Sequence, residues 1–231
     1  MKTAQNLIKV AKKQGSKKRA LGAARYFKTG PGQYGAGDVF CGLTVPQCRL
    51  IGKQFNELPL SEIQKLLKSE IHEIRLIALL ILVELYQKKD NKKKIVDFYL
   101  KNTKYINNWD LVDVSAHKIL GNWFLDKPTR TLEKMSYSKN IWERRMSILA
   151  CFPRIARNDF ALSIKLAEKL LEDKHDLMHK AVGWMLREIG KRSIADLKIF
   201  LNEHGRRMPR TMLRYAIEKL PEKERLSYLK K

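Results

Sequence analysis

The chain has 231 residues, 44% of them hydrophobic, with 47 Lys and Arg against 24 Asp and Glu and a formal net charge of +23. That apolar fraction excludes a disordered tail, and the cationic surplus points to a polyanionic partner, nucleic acid before anionic membrane. Cys41, Cys48 and Cys151 show no CxxC spacing and the five histidines form no zinc-ligand pattern, so no metal and no small-molecule cofactor is expected.

The opening stretch, MKTAQNLIKVAKKQ, lacks the long apolar core of a signal peptide, and a cytoplasmic location is expected. Residues 3–14 read as a basic amphipathic helix and 18–28 as another, ending at Gly30-Pro31. The stretch TGPGQYGAGDVFCG, 29–42, holds five glycines and a proline and reads as an extended loop; no GKS or GKT follows, so it is not a phosphate-binding P-loop. Residues 45–55 read as a helix with Pro46 in its first turn.

From Ser61 onward the pattern is one of helix pairs. First helices are expected near 61–68, 91–101, 128–135, 160–171 and 194–203, and second helices near 72–88, 109–120, 141–152, 177–191 and 208–219. Ser61, Asn91, Asn140, Asp159 and Asp176 serve as candidate caps or near-caps. The most apolar run, Ile74 to Leu85, is interrupted by Arg75 and Glu84 and is too short to span a bilayer, so it reads as a buried helix and no membrane partner is expected.

The second helices stack in register at Arg75, Asp113, Arg145, Lys180 and Met212, with steps of 38, 32, 35 and 32 residues. That period predicts an all-α superhelical solenoid of HEAT-like antiparallel helix pairs, its second helices lining a concave basic groove. Residues 1–231 read as a single domain and a monomer, with N-terminal helices and the glycine-rich loop in 1–60 and repeats in 61–220.

The aligned column suits a phosphate backbone: Arg75, Arg145 and Lys180, joined by Arg144 and Arg187, supply forks and point charges for phosphate oxygens. Asp113 is its exception, since a carboxylate facing DNA repels phosphate; it either has a chemical role or pairs with a neighbouring arginine. Trp109 precedes Asp113 by four residues and shares its helix face, and Trp184 follows Lys180 by four. Such tryptophans can pack on sugar or base faces and exclude water, whereas Trp123 and Trp142 are expected in the core.

The segments ARYFKTG (24–30), NNWDLVDVSAHK (107–118), NIWERRMSILACF (140–152) and HKAVGWMLREIGKR (179–192) resemble, in order and spacing, the AlkD-type DNA alkylation repair glycosylases. The resemblance implies a HEAT-like helical stack acting on double-stranded DNA with alkylated bases, excising N3- and N7-alkylpurines as a monofunctional glycosylase. It implies Asp113 as the catalytic carboxylate, Trp109 and Trp184 as the aromatic pair beside the lesion deoxyribose, Arg145 as a phosphate ligand and Tyr26 as a DNA contact. Two departures stand out: a longer glycine-rich loop, and Asn108 where a second tryptophan often precedes Trp109. The rival reading is a non-catalytic HEAT-like DNA-binding scaffold, which the charge alone would support.

Overall fold

A computed structural model describes residues 2–88 and 90–230. Among the described residues the chain is all-α, with fifteen α-helices and a single isolated parallel bridge between Val39 and Ile71 in place of any sheet. None of these helices is long and apolar enough to cross a membrane. The chain divides into two compact units, Met1–Ser115 and Ala116–Lys231.

The first unit holds α1 (Ala4–Gln14), α2 (Lys17–Tyr26), α3 (Val45–Gln54), α4 (Leu60–Leu67), α5 (His72–Lys88), α6 (Lys92–Lys101) and, at its end, α7 (Trp109–Ala116). Their starts follow local chemistry. Thr3 and Ser16 accept from the amides of Asn6 and Arg19, and Thr44 forms a reciprocal capping box with Gln47 behind Pro46. Asn91 caps α6 as expected, whereas α4 begins one residue before Ser61, behind Pro59. Helix α5 is the organising element: thirteen of its seventeen residues are buried, against α3, α4 and α6. A helix apolar on every side has no solvent face to present, so it becomes the centre of its unit. Each buried Leu or Ile there contributes about 1.5–3 kcal/mol.

The second unit opens with a π-helical turn at His117–Gly121 and continues through α8 (Arg130–Ser136), α9 (Ile141–Leu149), α10 (Phe152–Ala156), α11 (Ala161–Lys169), α12 (Asp176–Arg192), α13 (Ile194–His204), α14 (Arg210–Ile217) and α15 (Glu222–Lys230). Helices pair as α8 with α9, and α12 with α13 and α14. A close backbone approach is at Gly183, where a Cβ would lie 2.5 Å from the Met212 carbonyl oxygen and 2.6 Å from the Tyr215 Cβ. Only glycine lets α12 and α14 come this close. Asn140 caps α9. His175 rather than Asp176 caps α12, its Nδ1 accepting from the Leu177 amide, and Asp159 binds Arg154 instead of capping α11. Helices α10 and α15 depart from the expected pattern: their short apolar content carries too little periodicity to be read. Cys48 and Cys151 are buried packing residues whose thiols burial pushes up to about 12, keeping them protonated.

Candidate carboxylate and nucleic-acid site

The glycine-rich loop is stapled rather than free. Glu73, in the first turn of α5, accepts hydrogen bonds from the amides of Cys41 (3.0 Å), Gly42 (2.7 Å) and Leu43 (3.2 Å). Val39 exchanges backbone bonds with Glu70 and His72 on either side of Ile71. Gly42 sits at φ +79, and a Cβ there would lie 2.1 Å from the Ser16 carbonyl oxygen. The loop thus closes onto the start of α2 through a glycine that nothing else can replace.

Asp38 carries the loop's main anchor. Its Oδ1 accepts from Arg75 Nη2 at 2.6 Å, and its Oδ2 accepts from His72 Nδ1 at 3.1 Å and Asn108 Nδ2 at 3.2 Å. The other ring nitrogen of His72, Nε2, lies 2.8 Å from Asp110 Oδ2, in the first turn of α7. His72 and Asp38 side chains are only 2% and 5% exposed. Burial alone would lower the His72 pKa; the hydrogen bonds to Asp110 and Asp38 outweigh it and push it up to about 9, so the ring is an imidazolium at neutral pH. Burial would raise the Asp38 carboxyl, but its bond to His72 and the Arg75 charge hold it below the ordinary carboxylate range.

An aromatic layer covers this network. Phe27 and Phe40 each lie 4.8 Å from the His72 ring and stack on one another at 5.2 Å. Trp109 stacks on Phe27 at 5.3 Å, and Tyr26 meets Trp109 edge-on at 6.0 Å. Tyr26 is 66% exposed and Trp109 is half-buried, so the layer runs from core to surface.

Helix α7 rises from this base. Asn108, fully buried, accepts from the Trp109 amide at 2.8 Å, and Asp110 caps its own turn by accepting from the Leu111 amide at 2.9 Å. A carboxylate in the first turn also complements the helix dipole. Asp113 lies one turn beyond Trp109 on the same face and is half-exposed. Behind it, Ser115 Oγ lies 2.8 Å from the Tyr99 hydroxyl. Tyr99 is held neutral first by burial, with the nearby Asp113 charge acting in the same direction. Asn108 therefore fills a position where tryptophan was the family expectation by becoming a hydrogen-bonded strut.

The expected basic column fares differently from the Trp109 and Asp113 pair. Arg75 is 4% exposed, and its guanidinium serves Ser69 and Glu70 carbonyls and Asp38. Its place in the column is corrected: because α5 is buried on all sides, the aligned position faces inward there. Arg145 is 5% exposed and donates to the Leu177 carbonyl at 2.6 Å. Arg144 pairs with Asp173 at 2.6 Å, Lys180 with Asp176 at 2.7 Å, and Arg187 with Glu218. Trp184 is half-buried, donates to Glu188 at 3.0 Å and tilts against Phe152 at 6.3 Å. Trp142 is buried as expected, but Trp123 is half-exposed under Lys127, whose Nζ lies 4.3 Å from the ring centre. Among the described residues no three His, Cys, Asp or Glu groups converge to hold a metal ion.

A family model described as DNA alkylation repair enzyme matches residues 7–220. The chain belongs to the DNA alkylation repair enzyme family. Its fold is similar to that of a predicted DNA alkylation repair enzyme from Enterococcus faecalis, with 20% identity and a TM-score of 0.72 over 90% of this chain and 98% of that one. It is also similar to smu.31 from Streptococcus mutans UA159, at 19% identity and a TM-score of 0.52, over 98% and 96% of the two chains. No curated protein matches the chain.

Family membership makes DNA the expected polyanion, and the first unit carries the densest cationic run to meet it. Nine basic residues and no acidic one precede Asp38: Lys2, Lys9, Lys12, Lys13, Lys17, Lys18, Arg19, Arg25 and Lys28. Helix α2 has no buried residue at all, and its Lys17, Lys18 and Arg25 are exposed on the helix that ends in Tyr26. The register of the second helices does not capture this surface; its sequence signal is the absence of Asp and Glu before residue 38.

Proposed function

We propose that this family member is a monofunctional alkylpurine DNA glycosylase, a hydrolase of the N-glycosidic bond that excises cationic N3- and N7-alkylpurines such as N7-methylguanine and N3-methyladenine. The observation that carries the reading is the half-exposed Asp113 carboxylate one turn beyond half-buried Trp109, on a helix whose first turn is fixed by Asn108 and Asp110.

An N3- or N7-alkylated purine already bears positive charge. When the bond from C1′ to nitrogen breaks, the base takes the bonding pair and leaves neutral, so no general acid is needed. Positive charge develops instead on the deoxyribose. A preorganised carboxylate stabilises that charge, orients water toward C1′ and accepts the proton the water loses as the new C–O bond forms. One Asp then suffices where hydrolysis of neutral glycosides uses two carboxyl groups. Trp109 screens the reacting sugar from bulk water, and Tyr26 contacts the DNA beside the cations of α2. In the second unit, Trp184, Lys180 and Arg187 are read as further DNA contacts, the two cations exchanging their carboxylate partners for phosphates.

The test is incubation with duplex DNA carrying one N7-methylguanine, followed by detection of the abasic site. Asp113→Asn should lose on the order of 10²–10³-fold in single-turnover rate while binding DNA as well as or better than the wild type. Normal excision by Asp113→Asn overturns the mechanism. Tight binding with no abasic product from the wild type would make the protein a DNA-binding scaffold.

A further inference from the structure

We propose that His72 is a positioning residue for this chemistry, tying the glycine-rich loop to α7 through its two ring nitrogens and so setting the register of Trp109 and Asp113. The inference rests on the glycosylase reading for its catalytic consequence and on the geometry alone for the tie itself.

Three elements meet at this ring. Nδ1 reaches Asp38 of the loop at 3.1 Å, Nε2 reaches Asp110 in the first turn of α7 at 2.8 Å, and His72 itself opens α5. The same Asp38 also accepts from Asn108, the residue preceding α7, so the loop holds α7 by two routes. Phe27 and Phe40 each pack 4.8 Å from the ring and 5.2 Å from one another, so the three rings form a triangular cluster, and Phe27 in turn carries Trp109.

The charged groups around it balance. His72 and Arg75 face Asp38 and Asp110, two cations against two anions, and Glu73 is satisfied by three loop amides. Both ring nitrogens must donate, because each faces a carboxylate oxygen, and only the protonated ring has two donors. Asp110 and Asp113 lie on one helix three residues apart. A rotation or shift of the first turn therefore moves Asp113, and displacement of a catalytic group by about 1 Å costs up to about a hundredfold in rate.

The experiment compares wild type, His72→Gln, and the double variant His72→Gln with Asp110→Asn. A glutamine can donate to only one of the two carboxylates. In the double variant it donates to Asp38 and accepts from the amide introduced at position 110, and the charge balance is restored. Two readouts are taken: hydrogen–deuterium exchange of peptides covering residues 36–43 and 107–116, and single-turnover excision with DNA affinity measured alongside. For His72→Gln, faster exchange in both peptides and a roughly tenfold to hundredfold slower excision, with affinity within about twofold, is expected; the double variant should restore both. Unchanged exchange, or failure of the double variant to restore it, overturns the tie. Should His72→Gln not fold, the folded, protected double variant carries the same test. Absence of excision in the wild type would reject the glycosylase reading while the exchange comparison still decides the tie.

Discussion

The protonated state of His72 makes a measurable statement about stability. Its pKa rises from 6.5 in an unfolded reference to about 9 in the fold. A group whose pKa is raised on folding contributes its full stabilisation below the unfolded value and loses it as pH rises through the folded value. The window is therefore about pH 6 to 10, and the loss corresponds to about 3 kcal/mol. Two charge-assisted hydrogen bonds, each worth about 1.5–3 kcal/mol, less the burial penalty of the ring, give the same order. At about 2–4 °C per kcal/mol for a chain of this size, that is a fall of roughly 6–12 °C in Tm. Cys41, Cys48 and Cys151, raised from 9.0 to about 12, also destabilise the fold as pH climbs past 9, because only the unfolded thiols ionise there. That contribution is common to wild type and His72→Gln and cancels in their difference. Thermal melts of both proteins under reducing conditions, at intervals from pH 6 to 10, should show the wild-type advantage shrinking by about 3 kcal/mol. Parallel curves for the two proteins would refute the assignment of a buried imidazolium.

Two further outcomes follow from the loop and the charge distribution. Gly42→Ala should lower Tm by several degrees, because a Cβ at φ +79 meets the Ser16 carbonyl oxygen at 2.1 Å and the Ala20 nitrogen at 2.7 Å; an unchanged melt would show that the α2 start yields easily. Lys18→Ala with Arg25→Ala should reduce the slope of log affinity against log salt by roughly 1 for each phosphate no longer neutralised, whereas Arg75→Met should leave that slope unchanged and cost about 3–5 kcal/mol of stability through the stranded Asp38. The opposite pattern would return Arg75 to the DNA face.

Helices were legible where apolar period and capping agreed. The ends of α3 and α5 fall within a residue or so of their expected positions, because Thr44, Pro46 and the strongly apolar run from Ile74 to Leu85 leave few alternatives. The pairing of Trp109 with Asp113 was legible for a related reason: a spacing of four is set by helical geometry whatever surrounds it. What a single helix face could not reveal was tertiary direction. Arg75 shares the column position of Lys180, yet one is buried and the other lies near the surface, because α5 is enclosed by α3, α4 and α6. The network of Asp38, His72, Asn108 and Asp110 was equally hidden, since Asp38 and His72 lie far along the chain from Asn108 and Asp110 and no sequence spacing ties the three stretches together. The glycine-rich loop signalled only that something there needed unusual backbone; Glu73, which accepts three of its amides, gave no local sign of that role.

The cost of that network argues for its purpose. Taking an ion out of water costs several kcal/mol after relaxation, and apolar side chains of similar volume often hold a fold at least as well. Apolar contact, however, is non-directional, so a loop held by leucines could slide against α7 without large loss. A carboxylate bound to both His72 and Arg75, and an imidazolium bound to two carboxylates, resist displacement in several directions at once. The buried acids of the first unit are each matched in this way: Asp38 by His72, Arg75 and Asn108, and Glu73 by backbone amides. Asp113 stays half-exposed on the helix these groups anchor. A reaction that relies on one carboxylate to meet a developing positive charge has no second group to correct a misplaced first, and rigid placement of α7 is the property such a reaction would demand.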